Sequence, residues 1–445
     1  MRFMIVWRSL IGACLGVLSV ALPACAQSEP TAKLGLSGQP ERLVAIQAGR
    51  LFDSKSGQNL LNQVILIKGE RIVEVGAADK IQIPAGAQLI DFSHATVLPG
   101  LIDGHTHVYD TTSPGNRVTQ SVEAWTLLAL KEAQTDLRAG FTTIRDVGTH
   151  GEGYGDADVR DAINNGLFDG PRMQVSTRGI GASGSDFIGA RGVEISGGHK
   201  NVAGPDEARQ AVREQIRYGA DWIKIFPAAN YSFSPTGELY VEPTLTLDEV
   251  KAIVDEAHRH HRKVAAHAFG GEGLRNSIVA GVDTIEHGQG LNEEEMAMMI
   301  QKGIYWGVTG YRYSMPEIIE RDRKDTNGQY SISAIHEKAF HMALSKGVKI
   351  MFGSGVDGNP YAHGTQVTEL DWLVRHGMTP QKVLQAATIV NAEVLGWQDR
   401  IGSIEKGKYA DLISVPGDPL QDINQLQRVN FVMKGGKVIR NDPAQ

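Results

Sequence analysis

Thiols are almost missing from this chain: of 445 residues only Cys14 and Cys25 are cysteine, and both lie near the N-terminus. Cleavage after Ala26 leaves a mature chain with no sulfhydryl. That excludes disulfides and thiolate ligands and restricts any metal to His, Asp, Glu and Lys donors. Positive charge is not in excess either. Lys and Arg number 44 against 51 Asp and Glu, a formal net charge of -7, which argues against nucleic acid as a partner because phosphate binding needs a basic face. No block of like charges marks an interaction tail. The apolar run from Ile11 to Leu22 stops short of the roughly 20 residues that span a bilayer. What remains, 42% hydrophobic and 21% charged, is an ordinary globular composition, long enough for one large α/β domain plus a smaller one.

The N-terminal segment reads as an export signal rather than as part of the fold. Arg2 and Arg8 give a short basic region, Ile11 to Leu22 an apolar core, and Ala24-Cys25-Ala26 a small-residue site suited to cleavage after Ala26. The expected destination is the periplasm or the exterior. A minority alternative takes Leu22-Pro23-Ala24-Cys25 as a lipoprotein box with a lipid anchor on Cys25, a pattern that Pro23 fits poorly. The expected organisation is a signal over 1–26, a linker over 27–40, one β subdomain built from 41–97 and 401–445, and a barrel over 98–400.

Short strand-like runs follow the linker: Leu43 to Ile46, Val64 to Ile67, Ile72 to Val75 and Gln88 to Asp91, separated by Gly-containing turns. The C-terminus resumes this texture with Ala410 to Val415, Val429 to Met433 and Lys437-Val438-Ile439, so both ends are expected to build one β-sandwich-like subdomain. Between them a phrase recurs in which a helical stretch ends at Gly and a β-branched run follows: Gly140, Gly219, Gly281, Gly303 and Gly347 each play this part. Thr246-Leu247-Asp248-Glu249 is a capping box, and Thr379-Pro380 a cap with proline at the first helical position. Helices alternating with apolar strands over this length predict an α/β fold with a parallel sheet closed as a (β/α)8 barrel.

Such a barrel places its chemistry at the C-terminal strand ends. The run Leu98-Pro99-Gly100-Leu101-Ile102-Asp103-Gly104-His105-Thr106-His107 ends in two histidines at i and i+2, which on a strand point to one side and can converge on one ion. Later runs end with Lys224 in Asp221 to Phe226, His267 in Val264 to His267, His287 in Thr284 to Gly288, and Asp357 after Ile350 to Val356. Each alone has an ordinary explanation: a hydrogen-bonded core histidine, a paired lysine, a capping aspartate. Together, at successive strand ends, they do not. Lys224 is the sharpest case, since an amine inside an apolar strand costs energy unless paired, neutralised or modified.

With Gly402-Ser403-Ile404-Glu405-Lys406-Gly407-Lys408-Tyr409-Ala410-Asp411-Leu412 and Met433-Lys434-Gly435-Gly436-Lys437-Val438, this pattern resembles the amidohydrolase superfamily over nearly everything after the signal. Within it the likeness is to the branch of Xaa-Pro dipeptidases, related carboxypeptidases, imidazolonepropionase-like proteins and ochratoxin-hydrolysing amidases. The resemblance implies two divalent metal ions, usually zinc. His105, His107 and Asp357 would hold the more buried ion, His267 and His287 the more exposed one, and Lys224, N6-carboxylated by CO2, would bridge them as an anionic oxygen ligand. A hydroxide between two such ions is a usable nucleophile, because coordination lowers the pKa of water from 15.7 towards about 7. Asp357 would pass its proton to the leaving nitrogen, while the exposed ion and His199 would polarise the scissile carbonyl.

The chain departs from that pattern at one place. Members of the branch usually read Phe-Gly-Thr-Asp on the last strand, whereas this chain reads Phe352-Gly353-Ser354-Gly355-Val356-Asp357. Ungapped reading puts Gly355 at the catalytic position; the step from Asp357 to His363 in Ala362-His363-Gly364 instead favours two extra residues before Asp357, taken up as a bulge. The loop from Thr177 to Gly198 is long, and Ser196-Gly197-Gly198-His199 keeps a Gly-Gly-His signature. Asp103 and Asp146 are candidates to orient ligand imidazoles, or equally to satisfy backbone N–H groups. Tyr311, Arg312, His199 and His363 are candidate substrate contacts, with Arg312 reaching a substrate carboxylate through two points. His258, His260 and His261 are assigned to a polar helix end.

The expected activity is therefore metal-dependent cleavage of an amide or peptide bond in a small carboxylate-bearing molecule: a dipeptide, an N-acyl amino acid or an ochratoxin-type amide. The enzymatic alternative is hydrolysis of a cyclic amide or imidazolone. The alternative from another class is a metal-poor binding or scaffold relative, motivated by Gly355. Homo-oligomerisation is left open.

Overall fold

Helices Gly271–Ala280, Glu293–Lys302 and Ile332–Lys346 all stop on a glycine in the left-handed region, Gly281, Gly303 and Gly347, with φ of 86°, 73° and 77°. A side chain there would meet its own carbonyl, so glycine is the residue that turns the chain back towards the next strand. Helix starts obey local chemistry as well. Thr246 accepts from Glu249 N while the Glu249 carboxylate accepts from Thr246 N, and Thr379 caps the helix Pro380–Gln385 through Lys382 N. The computed structural model describes residues 42–109, 121–150, 153–185 and 199–443. The expected export signal, the linker and Ser196-Gly197-Gly198 lie outside the described residues.

Eight parallel strands follow from this alternation: β1 (Leu101–Thr106), β2 (Phe141–Asp146), β3 (Arg172–Val175), β4 (Trp222–Ile225), β5 (Lys263–Ala268), β6 (Thr284–His287), β7 (Tyr305–Gly307) and β8 (Ile350–Met351). β1, β2 and β3 pair in order, as do β4 through β8. Asp221 N donates to Val175 O at 2.8 Å between β3 and β4, and Gly104 N to Phe352 O at 3.0 Å between β1 and the end of β8, which closes the (β/α)8 barrel. The strands are buried almost throughout, as parallel strands under helices should be, and several carry buried polar residues, such as Arg145 and Asp146 of β2.

Both chain ends meet in one seven-stranded sheet, ordered Lys437–Asn441, Phe431–Lys434, Leu412–Val415, Gln88–Pro99, Leu43–Asp53, Gln58–Lys68, Arg71–Ala77. The sheet curls on itself: its last strand bridges back at Arg71 to Tyr409. Alternation along the strands gives each face its own apolar cluster, Val44, Ile46, Ile65 and Phe431 on one side and Ala45, Val64, Leu66 and Ile81 on the other.

A clasp joins this subdomain to the barrel. Arg172 at the start of β3 forks the Asp411 carboxylate at 2.7 and 3.1 Å, and Asp411 also accepts from Gly435 N at 2.7 Å. The Tyr409 ring lies between two guanidinium groups, Arg71 at 3.6 Å and Arg172 at 3.7 Å. The Tyr409-Ala410-Asp411 stretch thus has a structural task. Among the described residues no helix is long and apolar enough to cross a membrane.

Candidate active site

β1 carries His105 and His107 to the C-terminal mouth of the barrel, and the period of two puts both rings on one side, Nε2 to Nε2 3.3 Å. β6 contributes His287, whose ring centroid is 5.0 Å from that of His105; β5 contributes His267, 4.4 Å from His287. His287 is the last residue of its strand and has φ of 77°, an uncommon conformation for a non-glycine residue that the surrounding structure must hold in place. Lys224 of β4 is 1% exposed, with Nζ 5.5 Å from the Phe226 ring.

Three of the imidazoles have their outer nitrogen tied. His107 Nδ1 lies 2.9 Å from Gly148 O, and a carbonyl only accepts, so that nitrogen carries the proton. His105 Nδ1 lies 2.7 Å from Glu286 Oε2. His287 Nδ1 lies 2.9 Å from Thr309 Oγ1, whose own proton goes to Val308 O, so the hydroxyl accepts there too. Burial, with the charge of Lys224 behind it, holds His105 and His267 well below the usual imidazole range, and burial with His267 does the same for His287. In neutral rings protonated at Nδ1, Nε2 of His105 and His287 presents a lone pair. Among the described residues no group of three or more His, Cys, Asp or Glu side chains stands ready to hold a metal ion.

Lys224 is buried near these rings. Its Nζ has no hydrogen-bond partner among the described residues, and burial pulls its pKa down to about 8. An unpaired buried ammonium is costly; neutral amine or a modified nitrogen is not.

The other candidates divide. Asp357 is buried and its Oδ2 accepts from Arg312 Nη2 at 2.6 Å, so the arginine expected to meet a substrate meets this carboxylate. A bulge does precede Asp357. Gly104 N bonds Phe352 O and His107 N bonds Val356 O, so four residue steps on one strand match three on the other, with Gly355 at φ 67°. Relative to β1 the segment therefore carries one extra residue, a bulge. His199 is nearly buried and stacks on Phe226 at 4.0 Å, and Phe226 lies 5.1 Å from His267.

Tyr311 packs on Tyr361 at 5.1 Å; the tyrosine beside His287 is Tyr313, at 5.4 Å. His363 stands behind His107 rather than in the mouth, Nδ1 2.9 Å from Asp136 Oδ2 and Nε2 3.3 Å from His107 O. Burial opposes its charge, yet Asp136 carries its pKa up to about 9, so both ring nitrogens serve as struts. Asp103 and Asp146, each pushed up to about 7 by burial, spend their oxygens on backbone N–H groups of His105, Ser354, Val108 and Gly148 and on the Ser354 hydroxyl. His258 and His260 pair with Asp283 and Glu256 at a helix end, apart from the cluster.

Sequence reasoning missed Glu286, Thr309 and His150, whose ring lies 4.1 Å from that of His107. Glu286 was findable by the logic applied to Lys224: a carboxylate inside an apolar strand, next to His287, needs a partner.

Residues 96–439 match the model of the Amidohydrolase family. The chain is 30% identical over 438 residues to ochratoxinase of Aspergillus niger, covering 90% of this chain and 87% of that protein. The crystal structure of that fungal ochratoxinase aligns with a TM-score of 0.78 at 26% identity, over 90% of this chain and 96% of the other. A Xaa-Pro dipeptidase with methionine bound in its active site aligns with a TM-score of 0.79 at 33% identity, over 90% of this chain and 100% of the other. With that family model spanning most of the chain, and with barrel and terminal sheet aligned to these structures, this chain belongs to the amidohydrolase family.

Proposed function

We propose that this chain is an exported, metal-dependent hydrolase of an amide or peptide bond in a small molecule ending in a carboxylate: a dipeptide, an N-acyl amino acid or an ochratoxin-type amide. Export rests on the Arg2 to Ala26 pattern. The observation that carries the reading is Lys224, a buried amine with no hydrogen-bond partner among the described residues, beside imidazoles whose outer nitrogens are tied so that lone pairs face inward.

The chemistry of these donors suits divalent ions. Nitrogen ligands with fixed outer partners and a carboxylate suit zinc, and the thiol-free mature chain offers no competing soft ligand. His105, His107 and Asp357 would hold one ion, His267 and His287 a second, and Lys224 would contribute to both as its N6-carbamate, an anionic oxygen donor formed when the neutral amine adds to CO2 and releases one proton to solvent. Bound ions supply an activated water and polarise the scissile carbonyl.

The remaining work falls to the protein. Asp357, oriented by Arg312, takes a proton and returns it to the leaving nitrogen, a role worth about 10²–10⁴-fold in such reactions. Arg312 keeps a second donor for the substrate carboxylate, because its buried Nη1 has no partner among the described residues. His199, stacked on Phe226, orients the carbonyl. Phe226, Phe269 and Tyr313 wall the cluster, exclude water and receive an apolar side chain. The likeness to an ochratoxinase and to a Xaa-Pro dipeptidase holding an amino acid supports this substrate class.

The test is a screen of dipeptides, N-acyl amino acids and an ochratoxin-type amide with purified protein loaded separately with zinc, manganese or cobalt, read as released amino acid. Hydrolysis lost on chelation, restored by metal and absent in Lys224→Met is the expected result. Metal uptake with no amide cleaved would make the chain a binding relative, and ring opening without a released amino acid would make it a cyclic-amide hydrolase.

A further inference from the structure

Beneath the imidazoles the barrel interior holds a charge pair that the proposed chemistry does not use. Arg145 of β2 and Glu286 of β6 have no exposed side-chain surface, and Arg145 Nη2 donates to Glu286 Oε1 at 2.7 Å. Oε1 also accepts from the Thr284 hydroxyl at 2.5 Å, while Oε2 faces His105 Nδ1 at 2.7 Å. Arg145 is itself anchored, with Nε on Gly104 O at 2.5 Å and its guanidinium 4.3 Å from the Trp222 ring. A buried ion pair gains little over a well-packed apolar pair, because the cost of desolvating two charges offsets their attraction. Its presence in the centre of a barrel therefore asks for another reason.

We infer that Glu286, clamped by Arg145, is a positioning residue that fixes the ring plane and the Nδ1–H tautomer of His105, so that its Nε2 lone pair is aimed at the cluster. Arg145 Nη2 and the Thr284 hydroxyl both donate to Oε1, which leaves Oε2 turned to His105 Nδ1 as the acceptor for an imidazole N–H. Gly104 O ties the same arginine to the strand that carries His105. The neighbouring strand makes room for the arrangement: a Cβ at Gly307 of β7 would lie 2.5 Å from Glu286 Oε2. Glycine at 307 and a carboxylate at 286 are thus one steric unit. The metal-affinity part of the inference rests on the proposed function; the tautomer does not.

The test uses full-length protein labelled with ¹⁵N-histidine, first metal-free and then titrated with zinc against a chromophoric chelator. The His105 signal is assigned by its loss in His105→Asn. Wild-type His105 is expected as the Nδ1–H tautomer. Glu286→Gln and Gly307→Ala are expected to mix its tautomers and weaken zinc binding by about 10–100-fold, the usual effect of removing such an outer partner. Glu286→Gln strands Arg145 and threatens folding, so Gly307→Ala, which keeps both charges, and the double Arg145→Met/Glu286→Gln, which removes both, are measured beside it. Unchanged His105 signals and zinc affinity in folded variants would overturn the inference. A wild type that takes up no zinc would remove the proposed function, while the metal-free tautomer would still decide the role of Glu286.

Discussion

Arg312 donates through Nη2 to Oδ2 of Asp357 at 2.6 Å, joining the turn after β7 to the bulged segment after β8. One guanidinium thus holds the proposed proton carrier, and its buried Nη1 has no hydrogen-bond partner among the described residues. Arg312→Met should lower kcat/KM for both a carboxylate substrate and its amidated analogue, because both lose the orientation of Asp357. The carboxylate substrate should fall by a further ~10–100-fold, the worth of a charge-assisted hydrogen bond of about 1.5–3 kcal/mol. Equal losses on the two substrates would remove Arg312 from substrate recognition.

Gly355 occupies the ungapped position of the family's usual aspartate, yet its φ of 67° is one that a side chain resists. A Cβ there would also lie 3.0 Å from Cγ2 of Thr309, the residue that fixes His287. Gly355→Ala is expected to cost about 1–2 kcal/mol in unfolding free energy, and Gly355→Asp to lower turnover rather than raise it. Denaturant unfolding and turnover of the two variants check this; a more active Gly355→Asp would return the catalytic position to 355.

His336 is buried between Trp306 and Trp372, and neither ring nitrogen has a hydrogen-bond partner among the described residues. Burial pulls its pKa down to about 3, against 6.5 in a solvated chain. Between those values the unfolded chain binds a proton that the folded one refuses, so folded stability falls as pH drops from 6.5 towards 3. His336→Leu should add about 1–3 kcal/mol at neutral pH by removing an unsatisfied polar group, and its advantage should widen in acid. Melting temperatures from pH 7 to 4 decide it; parallel curves would show that His336 does not titrate in this window.

Arg172 and Asp411 clasp the terminal sheet to the barrel, and Asp411 is 6% exposed. Arg172→Met should cost about 3–5 kcal/mol, since it leaves a buried carboxylate unpaired. Arg71→Met, on the other face of Tyr409, should cost no more than about 1 kcal/mol. Urea unfolding of the pair of variants checks the contrast, and similar losses would mean that the stacking, not the fork, holds the interface.

Where structure follows from neighbours in the chain, it was legible beforehand. The glycines at 140, 219, 281, 303 and 347 all have positive φ and precede barrel strands, and the strand-like runs at the two ends pair in one sheet. His105 and His107 share a side because they are two apart on a strand, and Lys224, His267 and His287 stood out as polar residues closing apolar runs. The substrate contacts were less legible. Tyr311 and Tyr313 differ only in which side of a single helical turn they occupy, so Tyr313, not Tyr311, faces His287. His363 looked like a mouth residue but is spent on Asp136 and the His107 carbonyl.

The amino-acid order by itself determined the helix–strand repeat and the residue types offered at the strand ends, because those depend on periodicity and on conformational limits within a few residues. Only the tertiary structure decided partnerships: Glu286 with His105, 181 positions away, Arg145 with Glu286, 141 away, and Arg312 with Asp357. Hydrogen bonds need donor and acceptor within about 3 Å, and for residues so far apart in the chain that distance is set by how the whole barrel closes, not by any local pattern.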